Sequence, residues 1–117
     1  MLDFDLTTEQ KTLVEETKPF TREKIIPVAG EADKKHEFPM DVFKEAWELG
    51  FVGPTIPEEY GGAGMTEVDN VLLTEELAFG CTGIQTSMTA NTLAATPILI
   101  AGNDEQKKKY LGLLTSE

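Results

Sequence analysis

The chain has 117 residues, 40% of them apolar and 26% charged, with a formal net charge of -11. That length fits one domain with its own core, and the apolar content excludes a disordered chain. The acidic balance argues against nucleic acid, which requires a basic face, and against an anionic membrane surface.

No apolar run approaches the ~20 residues of a membrane span, so no membrane insertion is expected. The longest run, Leu93 to Gly102, carries Pro97. Met1-Leu2-Asp3-Phe4-Asp5 lacks both a basic and an apolar segment, so neither a signal peptide nor a transit peptide is expected. Cys81 is the sole cysteine, which precludes an internal disulfide and points to a reducing compartment. Between Gly80 and Thr82 it reads as a small packing residue. The sole histidine, His36, lies in the charged run Asp33-Lys34-Lys35-His36-Glu37 and reads as solvated.

Five helices are expected, and no strands. Thr7 and Gln10 have capping-box spacing at the start of the first. Leu13, Val14, Phe20, Ile25, Val28 and Ala29 then recur at helical spacing. Pro19 and Pro27 predict kinks, or two helices meeting near Pro19, and the pattern fades from Gly30 to Lys35. A second helix is expected with Pro39 at its first position, Val42, Phe43, Ala46, Trp47 and Leu49 along one side, and Gly50 as its stop. Residues 51–65 hold Pro54, Pro57, Gly61, Gly62 and Gly64 and cannot be helical throughout. The third helix starts at Thr66 with Asp69 in capping position; Val68, Val71, Leu72, Glu75 and Phe79 share a stripe.

The fourth runs from Thr82 to Ala101, with Ile84, Met88, Asn91, Thr92, Ala95 and Leu99 on one side and a bend at Pro97. The fifth opens at Asn103, with acids suited to the helix dipole, a solvent-facing Lys107-Lys108-Lys109, and Tyr110, Leu111, Leu113 and Leu114 pointing inward. Short connections favour antiparallel neighbours. The expected fold is therefore all-α, an up-and-down bundle of about five helices forming one domain, 1–117.

No self-sufficient chemical site emerges. There is no metal-ligand spacing and no nucleophile with a plausible histidine partner. Gly61-Gly62-Ala63-Gly64 lacks the preceding strand of a dinucleotide fingerprint and reads as a tight connection. Glu75 and Glu76 point about 100° apart on a helix and cannot share a substrate. Glu75 reads as a structural acid and Glu76 as solvated. The fourth helix is unusually polar. Gln85, Thr86, Thr89 and Leu93 fall on neighbouring turns, where they line a cavity or simply bond to their own backbone.

Several stretches, in order, resemble the acyl-CoA dehydrogenase family. They are Phe4-x-Leu6-Thr7-x-Glu9-Gln10, Glu23 to Ala29, Phe38-Pro39 with Ala46 to Phe51, Ile56 to Met65, Glu75 to Thr86 and Ile100 to Gly112. The segment from Glu75 to Thr86 is most similar to the medium-chain branch. The resemblance implies an amino-terminal helical domain, followed in family members by a middle β domain and a C-terminal helical domain that this chain lacks. It implies an FAD enzyme oxidising the Cα–Cβ bond of an acyl-CoA to a trans-2-enoyl-CoA, as in fatty acid β-oxidation. A glutamate base takes the α-proton and the flavin receives a hydride.

It further implies an electron-transferring flavoprotein as acceptor, a homotetramer, and the mitochondrial matrix or bacterial cytoplasm. Matched to the family, Gln85, Thr86, Thr89 and Leu93 line the tail end of the acyl pocket. Thr89 stands where medium-chain members usually have glutamate, and Pro19 also departs from the family pattern. No catalytic, metal-binding or flavin-binding residue is assigned here, and alone the chain is expected to be inactive and to hold no cofactor. The alternatives are an acyl-CoA oxidase or flavin monooxygenase on the same scaffold, and a stand-alone helical binding or oligomerisation module.

Overall fold

Thr7 caps the first helix reciprocally. Its hydroxyl accepts from the Gln10 amide at 3.2 Å, and the Gln10 side chain accepts from the Thr7 amide at 3.1 Å. The computed structural model describes residues 4–116. Met1–Asp3, on which the reading of the chain start partly rests, and Glu117 lie outside it. The elements are α1 (Thr8–Phe20), a π turn (Thr21–Ile25), α2 (Ile26–Lys35), α3 (Met40–Glu48), a 3-10 turn (Glu58–Tyr60), α4 (Glu67–Gly80), α5 (Thr82–Ala101) and α6 (Asp104–Thr115). Since α1, the π turn and α2 follow without interruption, five helical rods result among the described residues, with no strand.

The two prolines flank a π turn, and the helical run is broken at neither. Pro19 lies inside α1 without ending it, and helix continues past Gly30 to Lys35. The irregularity falls between the two prolines, where the Ile26 amide donates to the Thr21 carbonyl, five residues back. Pro27 has no amide to give the Glu23 carbonyl, so the α-helical ladder is interrupted there in any case and a wider turn is tolerated. This turn is also a packing surface. The Thr21 hydroxyl donates to the Glu76 carbonyl at 3.2 Å. A Cβ on Gly80 would come within 2.8 Å of Thr21 Cγ2 and 2.9 Å of Ile25 Cγ2, so α4 approaches the π turn as closely as glycine allows.

Two helix ends share one geometry. Gly50, at φ 76°, ends α3; its amide donates to the Trp47 carbonyl and the Phe51 amide to that of Ala46. His36, at φ 55°, ends α2 in the same way, with the Glu37 amide bonded to the Ala32 carbonyl and its own to Asp33. Both are Schellman ends. A side chain in left-handed backbone costs about 1–2 kcal/mol, partly offset because glycine loses more chain entropy. His36→Gly is therefore expected to raise stability by about 0.5–1 kcal/mol, read as a higher urea midpoint. Pro39 precedes α3 as its cap and is not its first residue.

The core lies where α1, the π turn, α3, α4 and α5 meet: Phe20, Ile25, Val42, Ala46, Phe51, Leu73, Leu77, Ile84 and Met88. Phe20 meets Phe51 edge to face, centroids 5.6 Å apart. A smaller cluster, Ile56, Ala95 and Leu111, joins the loop before α4 to α5 and α6. The molecule is a slab of 43 × 42 × 19 Å, with a radius of gyration of 15.0 Å, where a rounded domain of this length has about 13 Å. A slab leaves helix faces uncovered, and six positions expected on inward sides fall on them. On α4, Val68, Val71 and Phe79 are exposed while Leu73 and Leu77 are fully buried. Leu49 of α3 is exposed, as are Tyr110 and Leu113 of α6.

The α1 and α4 starts are tied together. Thr66 and Asp69 form a second capping box, and the Gln10 side-chain amide donates to Asp69 Oδ1 at 3.0 Å. Hydrogen bonds from the Thr66 hydroxyl, the Gln10 amide and the Thr66 backbone hold the Asp69 carboxyl below its ordinary value. A depressed carboxyl pKa stabilises the fold above its unfolded value, and that contribution disappears as pH falls through the folded value. Between about pH 5 and pH 3 the wild-type urea midpoint is expected to fall more than that of Asp69→Ala.

Candidate functional site

α5 forms because three strong signals frame it. Gly80 ends α4, Cys81 is extended (φ -168°), and Gly102 leaves the helix in extended backbone. Pro97 lies within it, yet helix continues to Ala101. Ile84, Met88 and Ala95 are buried and Asn91, Thr92 and Leu99 half-buried, which is the inward side expected from the spacing. Asn91 Nδ2 reaches the Leu114 carbonyl at 3.4 Å and ties α5 to the end of α6.

The four residues singled out on α5 divide into two pairs. Gln85 is buried, and its amide donates to the Thr89 hydroxyl at 2.8 Å. Thr89, half-buried, donates in turn to the Gln85 carbonyl at 3.3 Å. Thr86 and Leu93 point outward, with Leu93 75% exposed. One residue step rotates a helical side chain by about 100°, which separates Gln85 from Thr86. Backbone-bonded hydroxyls are present too: Thr86 donates to the Thr82 carbonyl, Ser87 to that of Ile84 and Thr96 to that of Thr92, at 2.7–2.8 Å.

The outward side continues beyond these residues through Ala90, Pro97 and Ile100, the last 80% exposed. Periodicity did not single them out. The available signal was charge: α5 contains no Asp, Glu, Lys or Arg in twenty residues.

The acids of α4 exchange their expected environments. Glu75 is exposed, whereas Glu76 is half-buried and its Oε1 meets no hydrogen-bond donor among the described residues. Cys81 is half-buried, and His36 is exposed.

The glycine loop is closed upon itself. Gly61, Gly62 and Gly64 amides donate to the carbonyls of Glu58, Pro57 and Ile56, and Met65 to that of Pro54. Thr115 at the end of α6 donates to the Tyr60 carbonyl at 2.5 Å. Phosphate loops work by aiming free amides at the anion. Here the amides of all three glycines are consumed, and Glu58 and Glu59 stand beside them. The loop therefore does not fit a flavin or nucleotide phosphate, and its role is to join α3 to α4. Among the described residues no cluster of His, Cys, Asp or Glu is arranged for a metal ion, and no helix is long and apolar enough to cross a membrane.

The family described as acyl-CoA dehydrogenase, N-terminal domain, matches residues 7–117. A probable medium-chain specific acyl-CoA dehydrogenase 2, mitochondrial, of Caenorhabditis briggsae is 45% identical over 116 residues, covering 99% of this chain and 28% of that protein. The solved complex of glutaryl-coenzyme A dehydrogenase with glutaryl-CoA superposes with a TM-score of 0.87 at 36% identity, over 97% of this chain and 30% of that one. A prolyl acyl carrier protein oxidase, AnaB, superposes with a TM-score of 0.84 at 29% identity, over 95% and 30%. This chain belongs to the acyl-CoA dehydrogenase family, a family of oxidoreductases, and corresponds to its amino-terminal domain. It spans about three tenths of the length of the relatives it matches.

Proposed function

We propose that this chain is the amino-terminal helical domain of a longer, FAD-dependent acyl-CoA dehydrogenase, and that α5 forms one wall of the acyl-chain pocket. The observation that carries the reading is α5 itself. It is free of charge in a chain that is 26% charged, and its outward side is nonetheless exposed through Thr86, Ala90, Leu93 and Pro97. An apolar side of that extent is expected to be covered in the working protein. Small hydroxyls and aliphatic groups suit a fatty chain. Thr86 and Leu93 would meet the tail, while the bonded Gln85–Thr89 pair stiffens the wall behind them.

The domain's contribution is exclusion of water from the acyl site, which strengthens the electrostatics at the thioester. FAD, held by the rest of the protein, supplies the hydride acceptor. No residue of this chain is assigned to proton abstraction. The substrates of this reading are straight, medium-length acyl-CoA thioesters. Its partners are an electron-transferring flavoprotein and further copies of the enzyme in a tetramer, in a mitochondrial matrix or bacterial cytoplasm. The mitochondrial relative from Caenorhabditis briggsae supports the first compartment.

The test is made in the assembled, flavin-loaded enzyme. Leu93→Trp is expected to lower kcat/KM for the longer acyl-CoA substrates about tenfold or more relative to the shortest, because a slot misfit costs ~1–3 kcal/mol per methylene. A chain-length profile that does not change would remove α5 from the pocket. A second reading is an oxidase on the same scaffold, and the likeness to the prolyl acyl carrier protein oxidase favours it. Reoxidation of the reduced enzyme by oxygen at the rate of turnover, without an electron-transferring flavoprotein, would select it.

A further inference from the structure

A cleft of about 430 Å³ opens beside α3 and the end of α6, lined by Met40, Phe43, Lys44, Trp47, Glu48 and Ser116. It is independent of the acyl-pocket reading, which concerns α5. Its apolar wall is aromatic: Phe43 and Trp47 line it with ring centroids 6.0 Å apart, and Phe38, outside the cleft, extends the ladder from Phe43 at 5.4 Å. Phe38 and Met40 are half exposed. Two opposite charges stand at its rim, because Lys44 and Glu48 are exposed and lie one helical turn apart. Neither enters the ion pairs among the described residues, which join Lys18 to Glu15, Lys24 to Glu45 and Lys35 to Glu31.

That rim discriminates between occupants. A small anion drawn by Lys44 meets Glu48, and a small cation meets the reverse. A surface that presents an acid and a base in the opposite order satisfies both. An antiparallel copy of α3 has that order. About a two-fold axis near the middle of the helix, Lys44 faces Glu48 of the second copy and Glu48 faces its Lys44, while Phe43 and Trp47 meet Trp47 and Phe43. Such self-complementarity is the requirement of an isologous contact. Aromatic residues in a recess with a charged rim have the usual anatomy of an interface. Two chains of net charge -11 repel over most of their surface, so a face with paired opposite signs is where they can approach.

We propose that this chain pairs with a second copy of itself across α3, antiparallel, with the aromatic ladder at the centre and two symmetry-related Lys44–Glu48 contacts at the rim. The test is sedimentation of the 117-residue chain over a wide concentration range. The wild-type chain should form a reversible dimer. Lys44→Glu and Glu48→Lys should each weaken dimerisation at least tenfold, since each sets like charges face to face at both rims. An equimolar mixture of the two variants should dimerise about as strongly as the wild type, because every rim contact in the mixed pair again joins an acid to a base. Both variants remain strongly acidic, so no general attraction produces that recovery. A wild-type chain that stays monomeric at the highest concentration, or a mixture that associates no better than either variant alone, overturns the proposal.

Discussion

Gly62→Ala is expected to cost at least about 3 kcal/mol and to leave the chain without a cooperative unfolding transition at ordinary temperature. A Cβ on Gly62 would lie 1.9 Å from the Ile56 carbonyl oxygen, 2.5 Å from the Ile56 carbonyl carbon and 2.6 Å from Ile56 Cβ. Two of those atoms are backbone and have no rotamer by which to withdraw. Ile56 is itself fully buried with Ala95 and Leu111. Its carbonyl already accepts from the Gly64 amide at 2.9 Å. Relief would require opening the loop, which also holds the Thr115 hydroxyl at the end of α6. The control is Gly112→Ala. A Cβ there meets no heavy atom within 4 Å, so removal of a mid-helix glycine should stabilise α6 by about 0.5–1 kcal/mol. Urea denaturation followed by circular dichroism reads both, and a Gly62→Ala chain with an unchanged midpoint would contradict the close approach described here.

The second large effect is expected at Leu77→Ala, which should lower stability by about 2–5 kcal/mol. Leu77 has no exposed surface and belongs with Leu73, Phe20 and Ile25 to the main core cluster. It lies on the side of α4 that meets α1 and the π turn, where Gly80 and Thr21 already set a minimal separation. The surrounding helices therefore have little room to collapse into the void, which places the cost toward the upper part of that range. Val71→Ala on the same helix, at a position 61% exposed, should change the unfolding free energy by no more than about 0.5 kcal/mol. Equal losses at the two positions would show that the buried side of α4 is wrongly assigned.

That contrast between Leu77 and Val71 is also where the sequence was hardest to interpret. α4 carries Val68, Val71, Leu72, Leu73, Leu77, Ala78 and Phe79, so apolar residues lie nearly all around it and spacing alone supports more than one stripe. Which stripe is buried depends on α1 and α5, and that information is not local. Three helix starts were legible for the opposite reason. Thr7 with Gln10, Thr66 with Asp69 and Asn103 with Gln106 each complete a bond over three residues, and all three capping boxes form. Gly50 was legible as a stop, because the left-handed turn needs only its own residue. The π turn was not, since nothing between Thr21 and Ile25 departs from ordinary helical composition.

On α5 the Gln85–Thr89 hydrogen bond spans one turn and belongs to the local pattern. The outward position of Thr86 and Leu93 follows from the arrangement of the neighbouring helices. The positions of Tyr110 and Leu113, expected inside and found outside, have the same origin. α6 packs only along its Leu111–Leu114 edge, against α5 and the loop.

The bridge from Gln10 to Asp69 joins two helix starts that are 59 residues apart in the chain. Frayed ends normally open singly and independently, as the weakest parts of any helix. Here the glutamine holding the first turn of α1 is also a ligand of the acid holding the first turn of α4. Loss of either turn deprives the other of a partner, so solvent should gain access to the leading amides of both helices in one concerted event.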